Sequence, residues 1–220
     1  MKIPDFLSGS RILEETYSKY NGEIKVVQDL AWGKHIVVNN LTQSGGIIND
    51  IWKETLKKFS INNFQFSNVL VLGVGGGSAA KLVHKYWPEA KITGVDIDER
   101  MVFLGKKYLG LEKVRAEIVI GDANTFVKSK LQIPNFKYDL ILVDLYNGDK
   151  FPEKFEDEKF LKNIKKMLNK EGMAIFNRLY GGDKRPGSMK FGRKLEKYFK
   201  KVDYVYPMAN VMFVCYTQKA

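Results

Sequence analysis

Residues 69–98 constrain the fold of this chain more than any other stretch. They begin with a short apolar run, 69–72, whose length and β-branched residues are typical of a buried strand. The turn that follows contains four glycines: Gly73, Gly75, Gly76 and Gly77. An amphipathic helix is predicted to begin at Ser78, and a second strand is predicted to end at Asp96. This order predicts the nucleotide-binding half of a doubly wound α/β sheet.

The same stretch predicts a bound nucleoside cofactor. Glycines let the backbone approach a ligand closely, and we expect the N–H groups of Gly76 and Gly77 to favour a negative group at the helix start. Asp96 lies about 20 residues after the turn, where its carboxylate can accept both hydroxyl protons of a ribose. A glycine turn alone is also explained by tight strand–helix packing. The prediction therefore depends on the glycines, the helix and the acid occurring together.

Length and composition predict one main domain with a small appendage. The chain has 220 residues, of which 45% are hydrophobic, enough for a substantial core. We predict an N-terminal β-hairpin unit with a connecting helix over residues 1–65 and a cofactor-binding domain over residues 66–220. In the first unit the pattern predicts three strands, a loop and a helix, at residues 11–17, 23–28, 34–38, 39–46 and 47–59.

From residue 66 onward strands and helices alternate, which predicts a mostly parallel sheet. The last two strands, 202–206 and 211–217, are joined by a short turn and must be antiparallel. Such an end is typical of sulfonium-nucleoside methyltransferases rather than of dinucleotide dehydrogenases. The predicted fold class is therefore α/β, a Rossmann-like methyltransferase fold with a seven-stranded sheet in the order 3-2-1-4-5-7-6. A loop over residues 181–188 and a helix over residues 189–199 are predicted before the terminal hairpin.

Acidic residues follow three of the predicted parallel strands: Asp96, Asp122 and Asp144. Ligands of such sheets bind beyond the carboxyl ends of the strands, so we expect these carboxylates to lie at one edge. A single aspartate after a strand is equally well explained by helix capping or a turn. Three such residues in register favour a binding site.

Charge and residue counts limit the remaining classes of function. The formal net charge is +11, but the lysines are spread over predicted helix faces, so we expect no nucleic-acid partner. No apolar run approaches the ~20 residues of a membrane helix, and no membrane association is expected. The lone cysteine, Cys215, and a start without an apolar signal region are typical of a cytoplasmic protein. One cysteine and two separated histidines predict no metal site.

From about residue 39 to residue 180 the chain resembles the spermidine synthase (polyamine aminopropyltransferase) family and its spermidine-synthase-like relatives. Residues 69–98 align with that family's first β-α-β unit without a gap, and residues 120–123 and 142–144 fit its later landmarks. The resemblance implies a transferase whose cofactor is S-adenosylmethionine or its decarboxylated form. It also implies a possible homodimer, which light scattering can test.

The resemblance assigns roles to individual residues. It implies that Asp96 holds the ribose of the cofactor and that Asp122 with Ala123 contacts the adenine. Gln43 would touch the cofactor from the N-terminal unit. Asp144 corresponds to the first acid of the family's Asp-Ser-Ser-Asp loop, near the reacting amine, and it is the predicted catalytic residue.

The chain departs from the family pattern at the glycine turn. The family's Gly-Gly-Gly-Asp-Gly-Gly turn has an acid that grips the aminopropyl amine of decarboxylated S-adenosylmethionine, and this position is Gly76 here. The family's Tyr-His pair falls on Trp52 and Lys53. Intact S-adenosylmethionine carries a carboxylate that an acid in the turn would repel. These differences favour methyl transfer from S-adenosylmethionine, with Asp144 positioning or deprotonating the acceptor.

Two alternatives remain open at this stage. One is an aminopropyltransferase that uses decarboxylated S-adenosylmethionine, and the other is a non-catalytic nucleoside-binding relative. The acceptor is expected to be a small molecule that is neutral or anionic, because Lys53, Lys184 and Arg185 are predicted near its entrance. The alternative for these three side chains is that they point into solvent.

Overall fold

The computed structural model describes residues 9–218, which form two β-sheets and six α-helices. The smaller sheet is antiparallel throughout, and its strands are neighbours in chain order. Its four strands are β1 (Ser10–Ser18), β2 (Gly22–Asp29), β3 (Gly33–Val38) and β4 (Leu41–Gly45). The three strands predicted from the sequence are confirmed.

Strand β4 corrects the prediction of a loop over residues 39–46. Asn39 and Asn40 adopt left-handed backbone angles, with φ of 49° and 61°, and join β3 to β4 by a two-residue turn. Two residues with positive φ match the twist of a hairpin, and asparagine tolerates that conformation well. The polar composition of the segment therefore conceals a strand, and this strand carries Gln43.

Helix α1 (Gly46–Ile61) leads from the small sheet to the large one. Its buried residues include Ile51, Trp52, Leu56 and Phe59, which pack among the core residues on one face of the large sheet. The helix predicted over residues 47–59 is thus confirmed, and it extends one residue further at its start and two residues further at its end. The proposed division of the chain between residues 65 and 66 stays a prediction.

The large sheet has seven strands in the order β10-β11-β9-β8-β5-β6-β7. If the strands of this sheet are numbered 1 to 7 along the chain, so that β5 is strand 1 and β11 is strand 7, the order read from β7 to β10 is 3-2-1-4-5-7-6. This is the predicted order, which is confirmed. Strands β10, β11 and β9 are antiparallel neighbours, and the other neighbouring pairs are parallel. The elements are β5 (Asn68–Leu72), α2 (Ser78–Tyr86), β6 (Lys91–Asp96), α3 (Glu99–Leu109), β7 (Ala116–Ile120), α4 (Ala123–Lys130), β8 (Tyr138–Val143), α5 (Glu158–Met167), β9 (Leu168–Leu179), α6 (Lys184–Leu195), β10 (Lys201–Val205) and β11 (Asn210–Tyr216).

The large sheet carries a hydrophobic core on each face. One core contains residues of α1 and α2, and the other contains residues of α4, α5 and α6. Apolar side chains of the small sheet pack instead on Met101, Leu104 and Leu109 of α3. This third contact holds the small sheet beside the carboxyl ends of β5 and β6. Within residues 9–218, no helix is long and apolar enough to cross a membrane.

Helix α6 begins earlier than the sequence predicts. Residues 181–188 were predicted to be a loop because they contain glycines and Pro186, but the helix starts at Lys184. Proline is tolerated in the first turn of a helix, where its missing N–H group would have no intrahelical acceptor. Lys184 and Arg185 therefore lie in a helical turn rather than in a loop.

Candidate functional site

A cavity of about 320 Å³ lies beyond the carboxyl ends of the central parallel strands. Small-molecule sites start at about this volume. Seven of the nine predicted site residues line it: Gln43, Gly73, Gly75, Asp96, Asp122, Ala123 and Asp144. Gly76 and Gly77 are absent from the described lining. The strand ends and β4 thus bring together residues that lie as much as about 100 positions apart in the sequence.

The glycine turn brings β5 and β8 into close contact. Gly73 has φ of 87°, and a Cβ atom there would lie 2.1 Å from the carbonyl oxygen of Asp144. Only glycine combines this backbone angle with this approach. The contact sets Asp144 directly beside the turn in which a nucleoside cofactor is expected.

Gly76 and Gly77 correct one expectation. Their N–H groups are paired inside the protein: that of Gly76 donates to Ser44 Oγ at 2.7 Å, and that of Gly77 donates to the carbonyl oxygen of Val74 at 2.8 Å. Neither group is free for a carboxylate of the cofactor. The neighbouring residue Ser78, which begins α2, lines the cavity instead.

The place of a side chain at position 76 is already filled. A Cβ atom on Gly76 would lie 2.7 Å from Leu109 Cδ1, 2.8 Å from Ser44 Cβ and 2.9 Å from Ile36 Cδ1. Strand β4 thus packs against the turn at the position where the resembling family has an acid. The turn lacks this acid, and its surroundings also lack the space for one.

Asp96 is held by the backbone around it. Its Oδ2 accepts the N–H of Gly75 at 2.6 Å, and its Oδ1 accepts the N–H of Asp98 at 2.8 Å. Burial raises the pKa of Asp96, although these backbone hydrogen bonds oppose the shift. Each carboxylate oxygen keeps a lone pair, and the residue lines the cavity. Paired acceptors of this kind fit the two hydroxyl groups of a ribose.

Asp122 both caps a helix and faces the cavity. It is the N-cap of α4, and its Oδ1 accepts the N–H of Thr125 at 2.9 Å. Its Oδ2 forms an ion pair with Lys154 at 2.6 Å. Burial opposes the ionised form, but the hydrogen bonds from Lys154 and Thr125 outweigh it, so the pKa of Asp122 is lowered. The simple capping explanation for Asp122 is therefore correct, and the residue also lies in the candidate site.

Asp144 accepts hydrogen bonds on both carboxylate oxygens. Trp52 Nε1 donates to Oδ2 at 3.0 Å, and Asn177 Nδ2 donates to Oδ1 at 2.8 Å. Burial raises the pKa of Asp144 to about 6, and the negative charge of Asp96 adds to this shift. A carboxylate with this pKa is mostly ionised at neutral pH and can still take up a proton. Asp144 is therefore chemically suited to act as a base.

Two residues of the β1–β2 turn also line the cavity, and no sequence motif predicted them. They are Tyr20 and Asn21. The turn is tied to Asp98, the N-cap of α3, whose Oδ2 accepts from Ser18 Oγ at 2.5 Å and from Asn21 Nδ2 at 2.6 Å. The pairing of a turn with an acid nearly 80 residues away leaves no signal in a single sequence.

The cations expected near the acceptor do not line this cavity. Lys53 is exposed on α1 and is absent from the described lining, and Lys184 forms an ion pair with Asp149 at 2.6 Å. The charged residues in the described lining are Asp96, Asp122, Asp144 and Lys154. The described lining is therefore acidic although the chain is basic, and the expectation of a neutral or anionic acceptor stays a prediction without the cations it was based on.

Together, the mostly parallel sheet, its terminal antiparallel hairpin and the glycine turn beside a strand-end cavity define a Rossmann-like domain with the methyltransferase fold. The sequence profile of the family described as "Spermine/spermidine synthase domain" matches residues 49–212. This range is well over half of the chain. The protein belongs to the spermine/spermidine synthase family.

Similar proteins include transferases of two kinds. A polyamine aminopropyltransferase of Vibrio vulnificus is 29% identical over 110 residues, which are 50% of this chain and 36% of the relative. An eEF1A lysine and N-terminal methyltransferase homolog of Drosophila melanogaster is 31% identical over 117 residues, 50% of this chain and 17% of the relative. The chain thus matches well under half the length of either relative.

Among solved structures, spermidine synthase from Thermotoga maritima superimposes with a TM-score of 0.74. The superposition covers 94% of this chain and 73% of the synthase, at 17% sequence identity. At this identity the likeness establishes the fold alone. It confirms the fold predicted from the strand order and the terminal hairpin.

Proposed function

We propose that the protein is a transferase that binds S-adenosylmethionine and moves its methyl group to an amine of a small acceptor. One observation carries the choice of cofactor: the wall formed by the glycine turn has no acid and no space for one at Gly76. The decarboxylated cofactor, whose tail carries an amine and no carboxylate, finds no acid there, whereas the carboxylate of intact S-adenosylmethionine meets no repelling acid. The similarity to a methyltransferase homolog of Drosophila melanogaster supports the same choice.

The residues in the cavity fit a nucleoside with a charged tail. The carboxylate of Asp96 suits the ribose, and Asp122 with Ala123 lies one strand further along, where the adenine would be held. At the other end, Gln43 and the start of α2 at Ser78 line the cavity. The first N–H groups of an α-helix have no intrahelical acceptors and favour a carboxylate.

Asp144 supplies the chemistry on the acceptor side. When bound, S-adenosylmethionine supplies an electrophilic methyl carbon on a sulfonium, whose bond to sulfur breaks as the acceptor nitrogen attacks. In its ionised form Asp144 accepts a hydrogen bond from the acceptor amine, orients its lone pair and takes up the proton that is released. The acidic lining attracts an ammonium group, which supports an amine rather than an anionic acceptor.

An aminopropyltransferase remains the second candidate. The family membership and the three strand-end carboxylates favour it, because a polyamine carries several ammonium groups. It would need an acid for the aminopropyl amine, and position 76 does not provide one. A non-catalytic relative is the third candidate, and the two hydrogen bonds that orient Asp144 argue against it.

Calorimetry with S-adenosylmethionine and its decarboxylated form separates these candidates. Charge-assisted hydrogen bonds to the carboxylate contribute about 1.5–3 kcal/mol, so we expect the intact form to bind roughly 10- to 100-fold more tightly. Tighter binding of the decarboxylated form would favour aminopropyl transfer. An assay of labelled methyl transfer to cell extract then tests turnover, and an extract without label in any small molecule would refute methyl transfer to a small acceptor.

A matched pair of variants tests the site itself. Asp144→Asn should abolish methyl transfer while cofactor binding persists, because Asp144 faces the acceptor. Lys53→Glu makes a larger change of charge on the same side of the molecule but lies outside the described lining. It should leave both binding and transfer unchanged.

A further inference from the structure

Two buried asparagines lie behind Asp144, and neither belongs to any motif of the sequence. Asn177 is near the end of β9 and Asn210 begins β11, and each is 3% exposed. Asn210 Nδ2 donates to Asn177 Oδ1 at 2.7 Å, and Asn177 Nδ2 donates to Asp144 Oδ1 at 2.8 Å. The three side chains form one directed chain of hydrogen bonds from β11, in the antiparallel part of the sheet, to the cavity.

The direction of this chain follows from its last member. An ionised carboxylate only accepts hydrogen bonds, so Asn177 must present its NH₂ group to Asp144. The carbonyl oxygen of Asn177 then faces Asn210, which must present its own NH₂ group. Asn210 therefore fixes which end of the Asn177 amide meets the carboxylate, although it does not touch Asp144 itself.

Within residues 9–218, no cation that would neutralise Asp144 is found among the groups that shift its pKa. Among the described residues, the ionisable groups that interact with it are Asp96, on β6, and the Tyr146 hydroxyl, in the loop after β8. Helix α1 contributes Trp52, and β9 contributes Asn177, both neutral donors. These donors thus stabilise the ionised form against burial and against the negative charge of Asp96.

We propose that Asn177 is a positioning residue for Asp144 and that Asn210 orients Asn177, so that the carboxylate stays ionised and aimed at the acceptor. The inference rests on the proposed role of Asp144 in methyl transfer. It assigns a function to the β9–β11 pair beyond closing the sheet: β9 supplies the donor to Asp144, and β11 supplies the residue that orients this donor. A buried polar network of this kind acts only when every member is satisfied.

The test is a carbon-detected NMR titration of the Asp144 carboxyl group in cofactor-free protein. Asn177→Leu removes a hydrogen bond to a charged group, so the pKa of Asp144 should rise by roughly one to two units from about 6. Asn210→Leu should shift it in the same direction but by less. If Asn177→Leu does not fold, Asn210→Leu carries the test alone, because residue 210 has no contact with the carboxylate.

Asn169→Leu is the matched control. Asn169 lies at the opposite end of β9 and donates to Asp139 of β8, so it repeats the same pairing between the same strands away from the cavity. It should leave the pKa of Asp144 unchanged. An equal shift in this control, or a shift below about 0.3 unit in both the Asn177 and the Asn210 variants, overturns the inference.

Measurements of the methyl-transfer rate distinguish a failure of this inference from a failure of the proposed function. If methyl transfer is found, Asn177→Leu should reduce the rate at pH 7 roughly 2- to 10-fold and recover it at pH 9, as ionisation of Asp144 is restored. An equal loss at both pH values overturns the positioning role. If no transfer is found, the proposed function fails, and the titration alone decides whether the asparagines control Asp144.

Discussion

Replacing Asp144 by asparagine should make the protein more stable at neutral pH relative to its stability in acid. The folded protein buries this carboxylate and holds its pKa at about 6, whereas the ordinary value is 3.8. Ionisation is therefore harder in the folded chain than in the unfolded chain. Asparagine keeps the shape of the side chain and removes the titration.

The sign follows from proton linkage. Below pH 3.8 the carboxyl group is protonated in both states and contributes no difference. As the pH rises above 3.8, the carboxyl group of the unfolded chain ionises first, and that of the folded chain ionises only near pH 6. The folded state therefore loses stability relative to the unfolded state over this pH range. Each unit of pKa shift corresponds to about 1.4 kcal/mol, so the wild type should lose about 2.4 kcal/mol relative to Asp144→Asn between pH 4 and pH 7. The NH₂ group of the new asparagine disturbs Trp52 or Asn177, but that cost does not depend on pH.

Urea denaturation of both proteins between pH 4 and pH 8 measures this difference directly. In thermal melts it should appear as a relative change in Tm of about 5–10 °C, because 1 kcal/mol shifts the Tm of a domain of this size by about 2–4 °C. A difference between the two proteins that stays constant across this pH range would refute the reasoning.

Asp122→Asn provides a comparison of opposite sign. Burial acts against the ionised form of Asp122, but Lys154 and Thr125 lower its pKa overall. The stability that this carboxylate contributes is therefore present above its ordinary pKa and is lost as the pH falls. Relative to Asp122→Asn, the wild type should gain stability with rising pH, in the reverse direction to the Asp144 pair.

Three further variants test the site by urea denaturation and calorimetry. Gly73→Ala should cost at least about 3 kcal/mol of unfolding free energy, because its Cβ would lie 2.1 Å from a carbonyl oxygen. Gly121→Ala, which meets no atom within 4 Å, should change stability by no more than about 0.5 kcal/mol. Asp96→Asn leaves one of two backbone N–H groups without an acceptor, so it should cost about 1–3 kcal/mol of stability and also weaken binding of S-adenosylmethionine. Unchanged stability in Gly73→Ala or Asp96→Asn would contradict the corresponding contact.

The order of the large sheet could be predicted from the sequence because strong local patterns determine it. Residues 69–72 and 140–143 are apolar throughout, and helices separate the parallel strands, so few topologies remain. The short link between the last two strands then requires an antiparallel end. The strand-end position of Asp96, Asp122 and Asp144 follows from the same topology, without any knowledge of side-chain contacts.

The remaining features depend on contacts that a single sequence does not encode. Asn39 and Asn40 could have indicated a hairpin turn, since two adjacent asparagines often adopt positive φ between strands. Gly76 gave no such signal: its N–H group is occupied by Ser44, which lies 32 positions earlier. The link between Asn177 and Asn210 likewise depends on which strands become neighbours and on the direction of two amide groups.

The packing of Ser44 against Gly76 also restricts how this protein can change during evolution. An acid at position 76 meets Ser44, Leu109 and Ile36, so it is disfavoured until its neighbours become smaller. Shortening Ser44 first removes the acceptor of a buried N–H group, at a cost of about 1–3 kcal/mol. Either first step is therefore expected to destabilise the folded protein before the second can compensate. The effects of substitutions at positions 44 and 76 should thus depend on each other, so that an acid at position 76 is tolerated best after its neighbours have changed.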